Sequence, residues 1–428
     1  MKFNSSLPIS HYILTFCFYL SLLRGTNMGL FYPANEFQLG EIDYTPQTIM
    51  NFVLLLGLLS YFIIIKNFHF LVYSLSRAFI FMIVAGVTLS LLTSVDRIQS
   101  AKYVLAMIVV VLPSILYLKE YGVEKLMNAF VKFIIISAFL NIAYVLILPE
   151  YGIMTERHEG RWRGLFEHKN MAGTFFALSF FFIWQSFDFK KTVNNLLKIL
   201  ALIFCLLFIF LAQSATAFVI FIMMSVAYPA FIGIISLKNI HQRIGLGLAL
   251  ISTVILMITF FGGQIESLFF TLTGRDATLT GRTGIWEVIF DLVSNRPFTG
   301  FGAGMSERPE FMERIQSGVG WEVKGTHNAY LDLLINFGYP TTIIMVLFIL
   351  KNWTKVFFIN LVDKSEIKIV ALASGIALTC LIVGLTTAAT LYSRSIFWIF
   401  LVIALMIISY APYINKKLLN PKSKFERI

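Results

Sequence analysis

Charge is what this sequence has least of. Asp, Glu, Lys and Arg make up 13% of its 428 residues while 58% are hydrophobic; a soluble domain has about 25% charged and about 45–50% apolar residues. That imbalance, with a mean hydropathy of +0.80, excludes a water-soluble globule. Cysteine is nearly missing too. Cys17, Cys205 and Cys380 each lie inside an apolar run, which argues against disulfides, and no set of side chains has metal-ligand spacing. The three read as small core residues. No small-residue cleavage site of the A-x-A type follows the first apolar segment, Ile9 to Leu23, so that segment is expected to stay as a membrane span. No internal repeat is evident, which argues against the inverted-repeat plan of many secondary transporters.

What the chain does have is apolar runs of roughly 18–22 residues, the length that crosses a hydrocarbon core. They predict twelve spans, at 9–23, 47–65, 71–92, 101–118, 128–148, 170–187, 196–213, 215–236, 245–262, 340–360, 368–388 and 394–412. The fold class expected is an all-α polytopic membrane protein, one membrane-embedded domain over 1–428. The net charge of +11 does not signal nucleic acid, because the basic residues sit in short loops and in the tail. The tail "KKLLNPKSKFERI" carries five bases and one acid and should be cytoplasmic, and twelve spans then put the N-terminus inside as well. Lys66, Lys119, Lys125, Lys190, Lys191, Lys198, Lys238, Arg243, Lys351, Lys355, Lys364 and Lys368 all fall on that inner side. The first outer loop has Glu36, Glu41 and Asp43 and no base after Arg24.

Two outer segments stand apart, a loop at about 149–169 and a longer one at 263–339 between spans nine and ten. A connection of about 75 residues is far longer than a link requires. Its tryptophans, helical periodicity and glycine punctuation predict that it folds. With nine acids and six bases it is net acidic, so it offers no nucleic-acid platform.

Within "TGRTGIWEVIFDLVSNRP", Ile285, Trp286, Ile289, Phe290 and Val293 recur at helical spacing, with Arg282 at the helix start. A guanidinium there, beside free backbone N–H groups, suits a phosphate. The plainer alternative pairs it with Glu287 or another acid of the loop. The glycines of "FTGFGAGM" follow no strand and precede no Lys-Ser/Thr, so a tight or flexible turn is expected rather than a nucleotide cradle. In "THNAYLDLLINFGYPT", Thr326 can cap a helix that halts at Gly338 and Pro340. His327 then stands at a helix start near the membrane boundary, as a base or hydrogen-bond donor or as an ordinary interfacial histidine. The stretch "GRWRGLFEHKN" brings Arg161, Arg163 and Lys169 together with His168. Glu156, Glu159 and Glu167 could neutralise these cations, and the flanking glycines would let a ligand approach. Arg394, at the outer start of the last span, could join the same anion site.

Together "GRWRGLFEHKN", "GRTGIW" and "HNAYLDLLINFGYPT" resemble the O-antigen ligase and O-antigen polymerase superfamily. The third stretch matches its His-Asn-x9-Gly-x-x-Thr pattern through His327, Asn328, Gly338 and Thr341. The motifs cover about 45 residues, and the layout of spans and long loop agrees over most of the chain. The resemblance implies a GT-C-like glycosyltransferase of the bacterial inner membrane with its large helical loop in the periplasm. It implies transfer of a glycan from undecaprenyl diphosphate to an acceptor hydroxyl, on lipid A–core for a ligase or on a lipid-linked repeat unit for an O-antigen or exopolysaccharide polymerase. Neither nucleotide sugar, metal nor other cofactor is implied. By position, Arg161 or Arg163 (Arg161 favoured) and Arg282 would bind the diphosphate, and His327 would orient or deprotonate the acceptor. Arg163, Lys169, Asn328 and Arg394 would line the substrate. A lipid-linked glycan transporter with the same arginines is the rival from another class.

Overall fold

Short polar residues between the apolar runs decide where helices begin. Asp96, His168, Ser214, Asn328 and Asp363 each accept a backbone N–H from the first turn that follows them, satisfying donors that a helix cannot satisfy itself. The computed structural model describes residues 8–29, 45–65, 88–89, 92–155, 158–187, 192–249, 252, 282–320, 323, 325–385, 387, 391 and 393–417, with backbone alone for 192–194, 282 and 412–417. The helices are α1 (Ile9–Thr26), α2 (Thr45–Ile65), α3 (Arg97–Ile147), α4 (Pro149–Gly152), α5 (Lys169–Gln185), α6 (Thr192–Leu211), α7 (Ala215–Ser236), α8 (Arg282–Ser294), α9 (Pro309–Val319), α10 (Ala329–Trp353), α11 (Lys364–Val383) and α12 (Ile396–Lys417). Among the described residues there is no strand, only an isolated bridge between Ile153 and Trp162.

Five of these elements are long and apolar enough to cross a membrane, Thr45–Ile65, Arg97–Ile147, Ala215–Ser236, Ala329–Phe358 and Lys364–Val383, and Asn195–Leu211 and Ile396–Ala411 are shorter apolar helices. The expected spans 101–118 and 128–148 are the two arms of α3, which breaks at Gly122 (φ 81°, ψ 172°). That conformation is open to glycine and costly for residues with a Cβ. The expected span 340–360 is the second arm of α10, after a similar break at Gly338 (φ 71°, ψ 179°). Expected spans 71–92 and 245–262 fall largely outside the described residues, as does 263–281 of the long loop.

Two apolar cores form. The larger joins α1, α2, α3, α5, α6, α7, α11 and α12 with both arms of α10 and with Ala303 of the glycine turn. The smaller is built from Ile285, Ile289 and Val293 of α8, Phe301 and Met305, Phe311 and Ile315 of α9, and Leu331, Leu334 and Ile335 of α10. It confirms the helical periodicity of "GRTGIWEVIFDLVS" at those α8 positions, while Phe290, expected on the buried stripe, is 46% exposed. Residues i, i+4 and i+8 face the core, and position 290 lies about 100° round the helix from 289.

Backbone hydrogen bonds gather many helix ends on one side of the bundle. The Trp162 N–H donates to the Leu211 carbonyl at the end of α6, and Gly29, just past α1, donates to Leu165. Near the end of α1, Gly25 lies so close to the start of α12 that a Cβ there would stand 3.2 Å from Ile396 N. The Ala329 N–H of α10 donates to Gly384, just past α11. At the opposite end, buried Arg243 donates to the Leu237 carbonyl (2.7 Å) and to Asn360 Oδ1 (2.7 Å). There too Lys355 donates to Asn352 and Ser409, and Lys119 lies 3.8 Å from the Tyr410 ring centroid. The loops at 153–169 and 325–329 therefore open on the face away from these cations.

Candidate functional site

The 153–169 loop is held by its own cations. Arg163 is 0% exposed; its Nε donates to the Tyr151 carbonyl (2.9 Å) and its Nη1 to the Glu167 carbonyl (3.2 Å). Lys169, equally buried, donates from Nζ to the carbonyls of Gln213 (3.0 Å) and Ala212 (3.4 Å). Those two residues lie just past the end of α6, where unmatched carbonyls and the negative end of the helix dipole favour a cation. Glu167 Oε2 accepts from Asn27 Nδ2 (2.8 Å), tying the loop to α1. Gly164, expected to make room for a ligand, makes room for Asn141 instead. A Cβ at Gly164 would lie 2.2 Å from Asn141 Oδ1, which accepts the Leu165 N–H (2.8 Å). Gly160 has no neighbouring atom where a Cβ would stand.

Arg161 is half-buried at the rim of this loop. Its Nε donates to Gln213 Oε1 (3.1 Å) and its Nη1 meets His158 Nδ1 (2.9 Å). A guanidinium only donates, so His158 Nδ1 is the acceptor in this pair. His168 Nδ1 accepts the Asn170 N–H (3.1 Å) as the cap of α5, and the two histidine rings meet edge-on with centroids 5.4 Å apart. The sequence reading missed His158 and Gln213. The available signal was His158 three residues before Arg161, and the polar pair Gln213-Ser214 interrupting two apolar runs.

At the start of α10 the cap is Asn328, not Thr326 as expected. Asn328 Oδ1 accepts from the N–H groups of Tyr330 (2.9 Å) and Leu331 (3.2 Å), and the residue is buried. Thr326 reaches past it, donating from Oγ1 to Asp332 Oδ1 (2.8 Å) and accepting the Asn328 N–H (3.3 Å). Between them His327 takes a left-handed backbone, φ 52°, and is exposed. Such a conformation costs an L-residue roughly 1–2 kcal/mol, and strain of this kind concentrates at functional positions. The Tyr330 hydroxyl donates to the Leu381 carbonyl (2.6 Å), fixing the corner to α11.

The glycines of "FTGFGAGM" form a tight turn, as expected, with φ of 64°, 116° and 77° at Gly300, Gly302 and Gly304. Cβ atoms there would collide with the Phe337 backbone (2.4 Å), Ser94 Oγ (2.1 Å) and the Tyr103 ring (2.4 Å). The turn is thus pressed against α3 and against the Gly338 break of α10, where Tyr339 N–H donates to Pro297 (2.7 Å). Arg282 opens α8, as expected, and its side chain lies outside the described residues. Ile285, one turn further on, shares the small core with Leu331, one turn past His327. Arg394 pairs with Glu307 and stands 4.6 Å from the Tyr103 ring centroid, while Tyr103 donates its hydroxyl to the other Glu307 oxygen (2.9 Å). The structure therefore collects Arg161, Arg163 and Lys169 in one loop, joins the helices of Arg282 and His327 through one small core, and ties Arg394 to the turn between Gly304 and α9.

No curated protein matches the chain. Residues 200–346, which include α8, the glycine turn and the start of α10, match the family model described as O-antigen ligase. This supports the superfamily that the three motifs resemble. Over that stretch the chain is similar to O-antigen ligases, a family of glycosyltransferase-like membrane enzymes.

Proposed function

We propose that this chain is a member of the O-antigen ligase and polymerase superfamily, a ligase-like glycosyltransferase with about twelve spans in a GT-C-like layout. In this reading both termini are cytoplasmic, the chain lies in the bacterial inner membrane, and the 263–339 loop faces the periplasm. Its donor is a glycan on undecaprenyl diphosphate and its acceptor a hydroxyl of lipid A–core. In the reaction the bond between the anomeric carbon and the bridging phosphate oxygen breaks, and that oxygen keeps the electron pair. The acceptor oxygen bonds to the anomeric carbon and its proton passes to His327. One displacement of this kind inverts the anomeric centre. Arg282 and Arg161 stabilise the charge that grows on the departing diphosphate, the type of fixed electrostatic aid that contributes most when it needs no reorganisation. The lipid anchor holds the donor at the interface, which supplies positioning. We assign Arg163, Lys169 and Asn328 to holding the loops in place, because their polar atoms are committed to backbone partners.

The observation that carries this reading is the exposed, left-handed His327 one turn before the small core that also seats the helix of Arg282. The test is transfer by purified protein supplied with lipid-linked donor and acceptor lipid. Product that forms with wild type and disappears in Arg282→Ala and His327→Ala supports catalysis at these residues. Full transfer by Arg161→Ala, Arg282→Ala and His327→Ala alike removes the site. A deletion strain separates the two enzyme jobs: a ligase null leaves all glycan on the carrier lipid, and a polymerase null leaves core capped with a single repeat.

A further inference from the structure

Beside the Arg394–Glu307–Tyr103 cluster lies a cleft of about 260 Å³ between the turn before α3 and the first turns of α9. Its charged lining is Asp96, Arg308, Glu310 and Arg314, and its apolar lining includes Phe301 and Phe311. The two rings meet edge-on, centroids 4.9 Å apart, and both are buried. Arg308 is shared between Asp96 (3.7 Å) and Glu310 (3.2 Å), and the Arg314 guanidinium stands 5.8 Å from the Phe311 centroid.

The composition of this lining selects a ligand class. Two guanidinium groups face two carboxylates, so the cleft has no net charge to offer a diphosphate. It does offer both donors and acceptors beside the edges of two aromatic rings. A sugar ring has the matching pattern, with hydroxyls around its edge and C–H groups on its faces. At about 260 Å³ the cleft is slightly smaller than the pockets of roughly 300–1,000 Å³ that hold drug-sized ligands, which suits a sugar unit or two. We propose that this cleft is a saccharide subsite, holding part of the glycan chain outside the bilayer while its reducing end is transferred. The proposal rests on the transferase reading for its role and on the lining alone for its ligand.

The probe is the oligosaccharide that mild acid releases from the lipid-linked glycan of the same cells, titrated onto purified full-length protein by saturation-transfer NMR. Arg314→Ala/Glu310→Ala removes two exposed charged groups, and Val95→Trp fills the cleft from its exposed edge. Wild type is expected to bind and both variants to bind at least about tenfold more weakly, the equivalent of about 1.4 kcal/mol. In transfer assays the KM of one substrate rises by a similar factor with kcat unchanged, and whether donor or acceptor KM moves identifies whose glycan occupies the cleft. No binding by wild type, or unchanged binding in both variants, overturns the subsite. Variant-sensitive binding by a wild type that transfers nothing keeps the subsite and overturns the transferase reading. Transfer by wild type with both variants unaffected does the reverse.

Discussion

In the loop from Ile153 to Lys169 two cations, Arg163 and Lys169, are sunk into the bundle, whereas in the segment from Arg282 to Gly338 the chain makes a small core of its own and leaves its histidine at the surface. Arg163 and Lys169 have their hydrogen bonds committed to carbonyls of Tyr151, Glu167, Ala212 and Gln213. A cation buried in this way holds chain together, and drawing it onto a ligand would leave those carbonyls unpaired. Arg161, one residue from the bridge between Ile153 and Trp162, is half-buried at the rim of that loop. In the second segment the cost sits in the backbone of His327 rather than in a buried charge. On the proposed reading, the contrast separates residues that shape the site from residues that face into it.

The largest effect expected tests that separation at His327. Glycine adopts φ 52° freely, so His327→Gly should fold as well as wild type or gain up to about 1 kcal/mol. Transfer should fall by about 10²–10⁴, the usual worth of a general base. Thermal unfolding in detergent and kcat on the same preparation check both halves. A glycine variant that keeps its kcat would move the base elsewhere.

Arg163→Ala should do the opposite. It leaves the carbonyls of Tyr151 and Glu167 without the guanidinium, at about 1–3 kcal/mol per buried unsatisfied group, so loss of yield or a clearly lowered Tm is expected. Arg163→Lys should not restore it, because an ammonium lacks the planar fork that spans two acceptors. A stable, inactive Arg163→Ala protein would place this arginine with the diphosphate instead. Gly338→Ala comes next. A Cβ would stand 2.6 Å from the Pro297 carbonyl oxygen at φ 71°, and strain of this kind costs about 1–3 kcal/mol. Amides of 297–305, which lie against the break, should lose more protection than those of α3, whose buried residues pack into the larger core. Uniform loss of protection would merge the cores into one folding unit.

The sequence was most informative where periodicity and chain chemistry agree. The helix from Arg282 to Ser294, the tight turn at Gly300, Gly302 and Gly304, and most of the described membrane helices follow from spacing, glycine and apolar length. Partners distant in sequence were not legible. Nothing local says that Gly164 must clear Asn141, that Lys169 reaches the end of α6, or that Glu307 joins Tyr103 to Arg394. The cap at Asn328 was missed for a different reason, since Thr326 and Asn328 are both good capping residues and only the left-handed turn at His327 selects between them.

The smallest effect belongs to Arg394, and it decides on which side of the comparison that residue falls. Its guanidinium and the Glu307 carboxylate are 36% and 44% exposed, so solvent screens them and the pair should contribute no more than about 1 kcal/mol. If Arg394 is only a latch, Arg394→Ala and Glu307→Gln should each lower the Tm slightly, and their effects should not add in the double variant, because each removes the same contact. The difference from wild type should shrink in about 1 M salt, where charges are screened within about 3 Å. Tyr103→Phe should reproduce a part of the loss, since it removes the second partner of Glu307. If Arg394→Ala instead keeps its Tm and loses transfer while Glu307→Gln keeps both, the latch is incidental and Arg394 acts on the substrate beside Arg161 and Arg282.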